Sequence, residues 1–185
     1  MPDSEKDLLR VRPLEVLVLL PTGILCGVLM GAILTAINCW ISPSYFGTNG
    51  SGWNYVDYFK LWKWSVQIGI CLGFVFGLVS SLILVIGLGF ASKLRCPVRM
   101  ALRVQLKVFK FSFLFWLAGG FNLILFFILI SYIFPRPRVF TTEDLKFFWA
   151  AGSTWGIYIG SVLSIVGALF HFAIKWRQLE KQSQA

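Results

Sequence analysis

The stretch SVQIGICLGFVFGLVSS, residues 65–81, decides the fold. It sets Ser65, Gly69, Gly73, Gly77 and Ser81 at every fourth position within an otherwise apolar run. A spacing of four puts these small residues on one face of an α-helix. In lipid such a face lets two backbones approach closely. The run continues without a charge from Trp64 to Ala91, longer than the roughly 20 residues that cross a ~30 Å hydrocarbon core.

Working outward, three more uncharged runs appear, at about Val16–Ile41, Phe111–Phe134 and Trp149–Ile174. Lipid offers no partner for backbone N–H and C=O groups, so spans of this length must be helices. The expected fold is all-α: one transmembrane domain over residues 1–185, with four spanning helices. Composition agrees. Of the 185 residues 57% are hydrophobic and 14% charged, and mean hydropathy is +0.76. Soluble domains carry about 25% charged residues, so most water-soluble enzymes and any disordered or collagen-like chain are excluded.

Two further spans carry the same stripe. The first has Gly23, Gly27 and Gly31, and the fourth has Gly152, Gly156 and Gly160, followed by Ser164 and Ala168. These faces read as helix-packing surfaces, with a conduit lining as the alternative. The third span has no such stripe and is expected on the outside of the bundle. Displacing the chain by 87 positions superposes Asp57, Trp62, Gly69, Gly73 and Leu82 on Asp144, Trp149, Gly156, Gly160 and Leu169. That pattern reads as a parallel duplication of a helical hairpin.

Charge sets the orientation. Twelve basic residues lie in the two tails and the 92–110 loop, against five on the opposite side. Positive-inside logic places both termini and that loop in the cytoplasm. The N-terminus, with Asp3, Glu5 and Asp7, reads as a retained span rather than a cleaved signal peptide. The loop residues Lys93, Arg95, Arg99, Arg103, Lys107 and Lys110 are expected at lipid headgroups, anionic ones in particular. With Val98, Leu102, Leu106 and Phe109 forming an apolar stripe, residues 98–110 read as an amphipathic helix lying along the inner surface. Nucleic acid is not an expected partner, because these charges sit too close to two membrane ends.

In the outer loops, Trp53, Val56, Phe59 and Trp62 suggest a short interfacial helix leading into the second span. Asn49-Gly50-Ser51 matches a glycosylation acceptor pattern. Thr141 and Asp144 have the spacing of a capping box before the fourth span.

Within the spans no Asp, Glu, Lys or Arg lies near the centre, which weakens proton-pump and voltage-sensor readings. The polar exceptions Asn38, Gln67 and Asn122 are expected to be buried, with Asn122 bonding a neighbouring helix. His171 is the only histidine, and Cys26, Cys39, Cys71 and Cys96 form no CxxC pair. Cys96, beside the basic loop, is a candidate for palmitoylation. With no HExxH, GxSxG, P-loop or haem motif, neither an enzyme nor a metal or cofactor is expected.

The run from Ala36 to Phe46, AINCWISPSYF, resembles a segment of small uncharacterised bacterial four-span membrane proteins. The resemblance implies a bacterial inner-membrane setting and brings no activity with it. Two functions remain open on these residues. One is a structural or accessory protein, associating with itself or another membrane protein. The other is a small oligomeric transporter or channel for an uncharged or weakly polar solute.

Overall fold

The computed structural model describes residues 17–48, 58–93, 95–133 and 141–184. Five helices follow in order: α1 (Leu19–Ile41), α2 (Pro43–Thr48), α3 (Tyr58–Ser92), α4 (Val98–Ile133) and α5 (Thr142–Gln184). There is no strand among the described residues. All but α2 are long and apolar enough to cross a membrane. The protein is a multi-pass, all-α membrane protein.

Local chemistry explains the boundaries. Pro43 disfavours helical geometry at the residue before it, and Ser42 leaves the helix while its N–H still donates to the Asn38 carbonyl at 2.9 Å. Lys93 takes a φ of 51°, the left-handed conformation that commonly closes a helix C-terminus. At the start of α5 the capping box forms as the spacing predicts. The Thr141 N–H and hydroxyl both donate to Asp144 Oδ2, at 3.0 and 2.7 Å, and the Asp144 N–H donates back to Thr141 Oγ1 at 3.2 Å.

The helices pair as two hairpins. α1 packs along α3, and α4 along α5. In the first hairpin Gly31 lies against Gly69, Gly27 against Gly73, and Gly23 against Gly77. The falling number on one side and rising number on the other make the pair antiparallel. A Cβ on Gly27 or Gly73 would run into the other's backbone carbonyl, so this contact requires glycine. In the second hairpin Gly119 lies between Gly152 and Gly156, while Gly160 faces the Phe115 ring. Between hairpins, α3 and α5 make the main contact.

Two expectations need correction, and a third holds. Residues 98–110 are helical, but they form the first turns of α4 rather than a separate helix along the surface. Their buried side is Ala101, Gln105, Val108 and Phe109, while Leu106 is exposed. Ala101 and Val108 pack inside the protein with Leu19, Leu84, Leu88 and Phe172, and Phe109 meets the Phe76 ring edge-on, because converging helices bury more apolar surface than a headgroup layer can. As expected, the third span is the least covered of the four. Gly119, Gly120 and Trp116 seat it directly on α5. Second among the corrections, Phe59 and Trp62 belong to the first turns of a continuous α3. Trp53, Val56, Asp57 and Asn49-Gly50-Ser51 lie outside the described residues, as do Asp3, Glu5 and Asp7.

Candidate functional site

Between the two hairpins lies a cavity of about 350 Å³, walled by all four long helices. Ligand pockets run from about 300 to 1,000 Å³, so it has room for a small molecule. Its walls come from Gly27 to Asn38 on α1, Gly69 to Ile83 on α3, Trp116 on α4, and Thr154 to Ile165 on α5. The glycine stripe of α1 and α3 helps create the space. Where two backbones touch without side chains, nothing projects to fill the gap beside them.

Most of the hydroxyls in this wall are internally satisfied. Thr35 Oγ1 donates to the Gly31 carbonyl at 2.7 Å, Ser80 Oγ to Gly77 at 3.2 Å, and Thr154 Oγ1 to Ala150 at 2.7 Å. Ser161 Oγ donates to the Ile157 carbonyl. Helical hydroxyls bonded back to a preceding carbonyl present little polarity to a cavity. Trp116 differs. It is 4% exposed, and its indole Nε1–H has no partner. Its ring stacks on Phe113 and meets Trp149 edge-on, so the donor is held in place by aromatic packing.

Two polar nodes bracket the cavity. At one end Asn38, 3% exposed, accepts from Ser153 Oγ at 3.1 Å, joining α1 to α5. At the other, Gln105 is 2% exposed and joins three helices. Its Nε2 donates to the Leu19 carbonyl at 2.8 Å and to Ser81 Oγ at 2.9 Å, and its Oε1 accepts from Thr22 Oγ1 at 3.0 Å. The side-chain amide is satisfied on both its oxygen and its nitrogen.

Sequence reasoning missed Gln105, whose neighbours are basic. The signal was present: Ala101, Gln105, Val108, Ser112, Trp116 and Gly120 recur at spacings of four and three, one helical face. The chosen stripe, starting at Val98, was rotated from it by one residue, or about 100°. Of the three polar residues expected to be buried, only Asn38 is. Gln67 stands two positions from both Ser65 and Gly69, hence on the far side of α3, and is exposed. Asn122 likewise stands two positions past buried Gly120 and is exposed, with no bond to a neighbouring helix.

Lys93, Arg95, Arg99, Arg103, Lys107 and Lys110 are all exposed around the start of α4. Cys96, in the turn between α3 and α4, is 4% exposed and packs in the apolar cluster. Burial pushes its thiol up to about 11. A buried neutral thiol is a poor acylation target, so the fold disfavours palmitoylation at Cys96. Among the described residues no three His, Cys, Asp or Glu side chains are grouped to hold a metal ion. Comparison with protein-family models, curated proteins and solved structures finds no match to this chain.

Proposed function

We propose that this protein binds an uncharged, weakly polar molecule dissolved in the bilayer and seats it between its two hairpins. The cavity itself, walled by glycines, apolar side chains and hydroxyls mostly bonded back to their own helix, supports this reading above all. Such a lining suits an apolar molecule and offers nothing to a charged one. The ligand class is therefore an uncharged, largely apolar molecule.

Binding is favoured over a through-channel by what fills the basic end. Leu19, Leu84, Leu88, Val108, Phe172 and Trp176 form a buried cluster there, on the side towards which Gln105 bonds Leu19. Self-association draws no support from the glycine stripes of α1 and α3, since those glycines already face each other within one chain.

The orientation we infer places both termini in the cytoplasm, supported by the twelve-to-five distribution of basic residues, and the bacterial inner-membrane setting rests on the resemblance of residues 36–46 alone. Exposure of the six basic residues around the start of α4 supports their contact with lipid headgroups. Duplication of the hairpin is supported by Gly69 and Gly156, 87 positions apart, each of which meets a carbonyl of its partner helix. Gly73 and Gly160 diverge, the first meeting backbone and the second a Phe ring.

The test is organic extraction of the full chain purified in mild detergent, followed by mass spectrometry. Val162 lines the cavity and is 63% exposed, so Val162→Trp can fill the space without crowding a packed core. The expected result is a near-stoichiometric apolar molecule in wild type that is lost in Val162→Trp. Wild type carrying no such molecule, or a variant that retains it fully, would refute the proposal.

A further inference from the structure

A second recess, sharing no residue with the cavity, lies between α4 and α5 near their basic ends. We propose that it holds one phospholipid with an anionic headgroup. The recess measures about 550 Å³ and is walled by Phe111, Phe115 and Leu163. Gly167 also lines it, and a Cβ built there meets nothing within 4 Å. This glycine therefore leaves open space, unlike Gly27 or Gly73, which admit another backbone.

The polar groups sit where a headgroup requires them. Lys107 and Lys110 stand on one side and His171 on the other. Arg103 lies one turn before Lys107, and Lys175 one turn after His171, both exposed on the same helix faces. No acidic side chain lines the recess. Ser164 also lines it and is 6% exposed, so the inner end of the recess adds almost no polar surface of its own. An apolar inner end at Phe115 and Leu163 and a cationic rim at Lys107, Lys110 and His171 follow the order of an acyl chain and a phosphate.

Native mass spectrometry of the full chain in a neutral detergent tests this, with phosphatidylglycerol and phosphatidylcholine of identical acyl chains as probes. Wild type should take up one phosphatidylglycerol at a concentration at least tenfold below that needed for phosphatidylcholine. Lys107→Gln with Lys110→Gln should abolish the preference. Lys93→Gln with Arg95→Gln removes the same charge outside the recess and should leave it intact. Gly167→Leu fills the slot from a position with free space, and should weaken phosphatidylglycerol uptake at unchanged thermal stability. Equal losses from the two charge pairs would mean diffuse surface attraction and overturn the proposal. So would unaltered uptake in Gly167→Leu, or displacement of the lipid by millimolar inorganic phosphate, which would reassign the rim to a free anion.

Discussion

The Gln105 side-chain amide donates to the backbone carbonyl of Leu19 at 2.8 Å, across 86 positions of sequence. It thereby ties the first turn of α1 to the first turns of α4, joining the two hairpins at the basic end. Each polar bond between helices in a membrane contributes about 0.6–2 kcal/mol, and Gln105 makes three. Gln105→Leu should therefore destabilise by about 1–3 kcal/mol, measured by SDS unfolding in mixed micelles. Gln105→Glu should do more damage. An ionised carboxylate only accepts, and it would face the Leu19 carbonyl with no proton to offer.

Gly73 and Gly167 should respond oppositely to one added methyl. At Gly73 a Cβ meets the Gly27 carbonyl, which is backbone and cannot rotate away. Gly73→Ala must push α1 and α3 apart, with an expected loss of about 1–3 kcal/mol, the range for overpacking. At Gly167 the Cβ enters open space, so Gly167→Ala should be neutral or stabilising by up to about 1 kcal/mol through helix propensity. Thermal aggregation of the two single variants in detergent, side by side with wild type, reads the difference.

Asn38 and Asn122 look alike in sequence and should behave differently. Asn38 is buried and accepts from Ser153 across the hairpin boundary, so Asn38→Leu orphans that contact and crowds its surroundings. A loss of about 1–2 kcal/mol is expected. Asn122 is exposed to the lipid side of α4, where Asn122→Leu should be neutral or stabilising. Equal losses at both positions would contradict the helix faces described above.

The spans were legible because lipid imposes a length and forbids charge, and a run such as 64–91 satisfies both without reference to any other part of the chain. Which polar residue turns inward was less legible. It depends on helix phase, and phase follows from the small-residue stripe only where that stripe is extended to include the polar position. Asn38 lies seven residues from Gly31, two turns on the same face, and could be placed. Gln67 and Asn122 have the same depth but not the phase, since an offset of two from Gly69 and Gly120 puts them on the opposite side. Gln105 was hidden by the basic residues around it, since positive charge near a span end suggests headgroups before it suggests a core. The cavity had no local signal, because it arises from the angle between two hairpins that each pack well alone.

Cys96 offers a test of the turn between α3 and α4. Its thiol is buried in the apolar cluster and pushed up to about 11 from an ordinary 9.0, whereas its neighbour Arg95 is exposed. Thiolate is the reactive form, so near pH 7.5 Cys96 should react with a maleimide at least tenfold more slowly than the thiol introduced by Arg95→Cys. Peptide mapping locates the adduct. Unfolding in SDS should close the gap, because desolvation is the cause and it ends with the fold. The sign of the stability effect follows by linkage. The folded state disfavours the thiolate, so the contribution of this group is whole below about pH 9 and is lost as pH rises towards 11. Comparing stability across that window in wild type and Cys96→Ala isolates the effect, since the other titrating groups are common to both. Wild type should decline more steeply. Parallel slopes, or rapid labelling of Cys96 in the folded protein, would place this turn outside the core.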